Sequence, residues 1–83
     1  MKIYYSPKFA KEYRKLPLKI KLLAEKKEEI FRNYPFDLRL KTVKISEKYR
    51  KLWAFSIGHG YKIVLEFTKI DTARFHTVGI YEF

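Results

Sequence analysis

From Leu52 to Phe67 the chain alternates apolar and polar side chains, a period of two that marks half-buried strands. Gly58-His59-Gly60 interrupts the run at its centre and predicts a β-hairpin turn there. Successive strand side chains point to opposite faces. Tyr61, Ile63, Leu65 and Phe67 therefore share a core face, with Trp53 and Phe55 beside them. Lys62, Val64 and Glu66 share the other face, where any chemistry would sit.

Elsewhere the pattern changes period. Lys2 to Tyr5 reads as a first strand. Ser6-Pro7 is a helix-start signal, with Ser6 as N-cap and the proline at the first helical position. Phe9, Tyr13 and Leu16 then recur at helical spacing until Pro17. A second helix is predicted from about Leu18 to Tyr34, closed by Pro35. Its apolar stripe is Ile20, Leu23, Ala24, Ile30, Phe31 and Tyr34, interrupted by Lys27. Lys21, Glu25, Glu28, Glu29 and Arg32 lie opposite, with Lys21–Glu25 and Glu28–Arg32 at ion-pair spacing. Phe36 to Tyr49 reads as an extended loop, partly strand, that tucks Leu38, Leu40, Val43 and Ile45 under the core. A turn at Lys69 to Thr72 precedes a last strand from Ala73 to Tyr81.

This order predicts an α+β fold, β-α-α-β-β-β: a helical hairpin packed on one face of a mostly antiparallel four-stranded sheet. The 83 residues form one domain, 1–83, whose core must be efficient at this size. Seven Tyr, seven Phe and one Trp supply it. The chain has no cysteine, which excludes disulfides, thiolate metal sites and thiol nucleophiles. His59 and His76 are too few for a persuasive zinc site, so no metal and no cofactor are expected. No apolar run approaches the roughly 18–20 residues that span a bilayer. The first residues lack the apolar region of a secretory signal. A cytoplasmic protein with no membrane partner is expected.

Charge sharpens the picture. Nineteen Lys and Arg against nine Asp and Glu give a formal net charge of +10. Such an excess attracts nucleic acid, an anionic membrane or an acidic protein, without choosing among them. It is densest at Lys41, Lys44, Lys48, Arg50 and Lys51, candidate RNA contacts or an ordinary wet loop.

The element order, with Leu40-Lys41-Thr42-Val43-Lys44-Ile45, Leu52-Trp53-Ala54-Phe55-Ser56-Ile57 and Tyr61-Lys62-Ile63-Val64-Leu65-Glu66-Phe67, resembles the RelE/ParE superfamily of type II toxins. Tyr5-Ser6-Pro7-Lys8-Phe9 and Lys15-Leu16-Pro17 are similar to its first strand and helix. The resemblance covers essentially the whole chain. It implies a toxin of a toxin–antitoxin system, in the RelE-like branch a metal-independent mRNA interferase. Such an endoribonuclease cuts messenger RNA on the ribosome and inhibits translation. The implied partners are a cognate acidic antitoxin protein, mRNA on the ribosome, and operator DNA only through the antitoxin. The other branch is similar in fold and inhibits DNA gyrase by binding. A catalytically silent member acting through its antitoxin and DNA is a third possibility.

The ribonuclease reaction needs a base for the ribose 2′-hydroxyl, an acid for the leaving 5′-oxygen and fixed cations at the phosphate. Lys62 stands where family ribonucleases usually carry a phosphate-bracing Arg. Tyr81, after Gly79 and Ile80, stands where many have a His, and Ser56 where some place another. The resemblance thus implies Lys62 at the scissile phosphate and Tyr81, with Glu66, handling protons. On the bland reading Lys62 and Glu66 are a solvated pair on one strand face, and Tyr81 is structural. Tyr81 shares a pleat face with Thr77 and Gly79. His76 alternates with Val78 and Ile80, which predicts a buried, hydrogen-bonded core histidine; His59 is expected to be exposed in its turn.

Overall fold

The structure, a computed structural model, describes residues 1–46 and 51–83. Strand β1 (Lys2–Tyr5) leads through Ser6 into helix α1 (Pro7–Arg14), and Pro17 separates it from α2 (Leu18–Asn33). A short 3-10 turn, Leu38–Leu40, precedes β2 (Val43–Ser46), β3 (Leu52–Gly58), β4 (Tyr61–Lys69) and β5 (Thr72–Ile80). The α+β class is as expected. The sheet has five strands rather than four, in the order β1-β5-β4-β3-β2. The added strand is β2, which pairs antiparallel with β3 along the edge. The β1–β5 pairing is parallel, Lys2 against Thr72 through Tyr5 against Phe75, and every other pairing is antiparallel.

Ser6 caps α1 as the sequence predicts. Its hydroxyl accepts from Phe9 N at 2.9 Å and donates to His76 O at 2.8 Å. Its own N–H donates to Phe75 O at 3.0 Å, so the start of α1 is pinned to the middle of β5. Both helices cover one sheet face. Phe31, Phe55 and Phe75 are fully buried there with Leu40, Ile57, Ile63 and Leu65. Phe31 stacks on Phe55 at 4.9 Å and meets Phe75 edge-on at 5.5 Å, geometries that add to the area buried.

Several boundary expectations are corrected. Tyr34 leaves the α2 stripe: at the C-cap its backbone is extended, and the side chain is 58% exposed. Leu38 is 92% exposed and Val43 46%, because only Leu40 of the 3-10 turn faces inward and Val43 lies on the face away from the helices. Glu28 is not simply a wet residue of α2. It accepts from the Tyr5 hydroxyl and pairs with Arg32 at 3.1 Å, bracing the helix against β1. Burial, then the hydrogen bond to Glu28, pushes the Tyr5 phenol up to about 12. The hairpin turn falls at Gly58, His59 and Gly60, all with positive φ (116°, 53° and 82°). No described helix is long and apolar enough to cross a membrane.

Candidate functional site

The site sits on the sheet face turned away from the helices. Cross-strand partners share a face. The ladder Ser56–Lys62–Gly79 therefore forms one rung of that face, Val43–Ala54–Val64–Thr77 the next, and Leu52–Glu66–Arg74 the last. Lys62 is half-buried, and among the described residues no hydrogen bond or ion pair engages its ammonium. Directly opposite is Gly79, whose missing side chain makes room for Tyr81. A Cβ at Gly79 would lie 3.4 Å from the Tyr81 ring and 3.6 Å from its hydroxyl. The chain turns back after β5 so that the Tyr81 ring covers Gly79, stacked on Phe83 at 5.4 Å, beside the Lys62 rung. Its hydroxyl lies 2.8 Å from Thr77 Oγ1. The expected sharing of a face by Thr77, Gly79 and Tyr81 is met.

A bulge reorganises the rest of β5. Val64 faces Thr77, yet Leu65 faces Phe75, so His76 is the extra residue. A bulge re-aims side chains relative to simple alternation. His76 therefore does not join Val78 on the core face; its Nε2 lies 3.0 Å from Glu66 Oε1, with the imidazole side chain 18% exposed. This corrects the core placement of His76 while retaining its hydrogen bond. It also changes the setting of Glu66, which lies four residues along β4 from Lys62. At ~3.3 Å per residue that is roughly 13 Å, too far for both to act at one phosphate. The structure brings Lys62 and Tyr81 together and sets Glu66 apart, with His76 and Arg74.

The basic cluster is divided too. Lys41 is exposed where the 3-10 turn ends, its backbone left-handed at φ 52°. Lys44 pairs with Trp53 and holds its ammonium 5.8 Å from the indole centroid, on the helix-bearing side. Lys51 is exposed just ahead of β3. Lys48 and Arg50 lie outside the described residues. Asp37 and Arg39 form a two-armed pair at 3.0 Å; the Arg39 side-chain and backbone hydrogen bonds hold the Asp37 carboxyl down at about 2. Among the described residues no group of three or more His, Asp or Glu side chains gathers as metal ligands.

Alternation had pointed to neither Arg74 nor Glu12. Arg74 was legible in principle, since Ala73 and Phe75 point inward on either side of it. Glu12 carried no strand-level signal, because it reaches β5 from a helix. Its Oε1 accepts from Thr77 Oγ1 and, at 3.1 Å, from Val78 N. A recess of about 390 Å³ between the helices is lined by Tyr5, Phe9, Tyr13, Arg14, Glu25 and Glu28. Two carboxylates against the one guanidinium of Arg14 make it a poor seat for an anion, so the chemistry is better sought at Lys62.

A cationic, helix-free sheet face under a hairpin of helices is thus the defining arrangement. No family model and no curated protein matches the sequence. Solved structures do match. The YoeB/ParE toxin from Agrobacterium tumefaciens has a TM-score of 0.81 at 10% identity, with 99% of this chain and 100% of that chain covered. The archaeal RelE–RelB complex from Pyrococcus horikoshii OT3 has a TM-score of 0.78 at 12% identity, covering 95% and 92%. The RelB–RelE antitoxin–toxin complex from Methanococcus jannaschii has a TM-score of 0.73 at 23% identity, covering 93% and 88%. The fold is that of the RelE/ParE superfamily of toxins.

Proposed function

We propose that the chain is the toxin of a type II toxin–antitoxin pair, a ribosome-dependent messenger-RNA endoribonuclease. The observation that carries this reading is the pairing of Lys62, a cation without a protein partner among the described residues, with the Tyr81 ring laid over Gly79 beside it. Lys62 braces the scissile phosphate and offers its proton to the leaving 5′-oxygen. A lysine supplies the charge as a point rather than as a planar fork. Tyr81 attends the ribose 2′-hydroxyl, which would confine the reaction to RNA. Glu66 orients His76 one or two nucleotides along the strand, and Arg74, Lys41 and Lys51 hold neighbouring phosphates.

The partner is a cognate acidic antitoxin, as RelB is to RelE in the structurally similar complexes. Leu18 and Leu22 are 72% and 57% exposed on α2 beside Lys19, Lys26 and His59, an apolar groove with a basic rim. An acidic amphipathic segment fits that chemistry, and a stable complex buries roughly 1,200–2,000 Å².

The test is cell-free translation with the purified chain, following protein synthesis and message integrity by primer extension. Codon-phased cuts that appear only while ribosomes translate support the reading. Lys62→Ala should then lower the cleavage rate by about 10²–10³-fold, the usual cost of losing one fixed charge stabiliser. Intact message with normal synthesis would sink it and move the weight to gyrase inhibition.

A further inference from the structure

Glu12 has ordinary partners within reach along α1, with Lys8 one turn behind and Lys15 nearly one turn ahead. The carboxylate is committed to β5 instead. Ser6 pins the start of the helix at Phe75 and His76, which sets Glu12 against the free edge of β5 just beyond the bulge. There one oxygen, Oε1, takes both the Thr77 hydroxyl and the Val78 N–H.

These contacts fix the direction of a chain of protons. The Val78 amide can only donate, and a carboxylate has no proton to give. Thr77 must therefore donate its single hydroxyl proton to Glu12. The remaining contact of Thr77 Oγ1, 2.8 Å from the Tyr81 hydroxyl, can then only be filled by a proton from Tyr81. The phenol proton then points at Thr77, which leaves the lone pairs of the phenol oxygen to accept from another donor.

We propose that Glu12 is a positioning residue for Tyr81: through Thr77 it makes the phenol a hydrogen-bond acceptor on the open face, the head of a proton relay ending at Glu12. The geometry rests on the hydrogen bonds alone; the consequence rests on the ribonuclease reading above. As the ribose 2′-oxygen bonds to phosphorus, its proton passes to Tyr81 Oη. The phenol's own proton moves to Thr77 Oγ1, and the threonine's to Glu12 Oε1. The bond from phosphorus to the 5′-oxygen breaks, and that oxygen takes a proton from the Lys62 ammonium. One proton has gone from ribose to Glu12 and one from Lys62 to product, and solvent restores both.

Two measurements test this separately. Neutron diffraction from the deuterated protein locates the hydroxyl deuterons. The expected map has the Tyr81 deuteron aimed at Thr77 Oγ1 and the Thr77 deuteron aimed at Glu12. A Thr77 deuteron aimed at Tyr81 overturns the proposal whatever the activity of the chain. In the ribosome cleavage assay, Glu12→Gln keeps an acceptor oxygen for Thr77 and Val78 but cannot receive the proton. Its kcat should fall about 100-fold, the low end for positioned proton transfer, with KM within about twofold. Tyr81→Phe should match it, and the double variant should be no slower than either, as members of one relay are non-additive. Additive losses, or a raised KM at unchanged kcat, would assign Glu12 to scaffolding alone and overturn the relay. If the wild-type chain cuts no RNA, the ribonuclease reading falls and the relay with it, while the neutron map still decides whether Glu12 orients Tyr81.

Discussion

Gly79 shows how much one residue can decide. With no side chain of its own, it leaves the Lys62 rung low where the Tyr81 ring sits. An Ala methyl at 3.4 Å would still be in ordinary contact, whereas the branched side chain of Gly79→Val would collide with the ring. That variant should retain its melting profile within about 1 kcal/mol, as outward-facing strand substitutions usually do, and lose cleavage as far as Tyr81→Phe does. Circular dichroism with the cleavage assay separates the two effects. Tyr5 offers a second single-residue test. Its phenol is pushed up to about 12 from 10.0 in the folded chain, so the fold holds this proton more tightly than the unfolded chain does. Its contribution to stability is complete below pH 10 and is lost as pH rises toward 12. Denaturation midpoints measured between pH 9 and about 12 should fall for the wild type and flatten for Tyr5→Phe.

At the scale of elements, the link from α1 to β5 is the joint on which the site depends. Ser6 serves it twice, as helix cap and as donor to His76 O. Ser6→Ala should cost about 1–2 kcal/mol in chemical denaturation, the upper part of the range for a lost cap, because a second hydrogen bond goes with it. The cap and Pro7 were legible in the sequence because capping is local chemistry. So were β1, both helices and the hairpin turn, each carried by a period or a breaker within a few residues. The β5 bulge was not. Alternation through Arg74, Phe75, His76 and Thr77 gives no sign of where a strand inserts an extra residue, and that one insertion moves His76 to Glu66. Edge strand β2 was only half legible, since pairing with β3 rather than its own pattern holds it in place.

For the molecule as a whole, the aromatic core is the larger lever on stability and the open face the larger lever on binding. Phe31 has no exposed surface and touches three other rings. Phe31→Ala should cost about 3–5 kcal/mol, a large part of the roughly 5–15 kcal/mol that holds a small domain folded, and thermal melting would show it. On the open face, RNA affinity should fall with salt, and each lysine removed should flatten the log–log slope by about 0.7 on single-stranded RNA. The parallel pairing of β1 with β5 has a different bearing. Lys2 has its partner at Thr72, far along the sequence, so this pairing closes a long loop. Contacts so far apart in sequence form slowly and late. The same strand carries Thr77 and Gly79 and leads to Tyr81. A ribosome making this protein therefore releases β1 and both helices before the strand that would complete the proposed site. On the proposed ribonuclease reading, a growing chain cannot cut the message it is made from until β5 arrives.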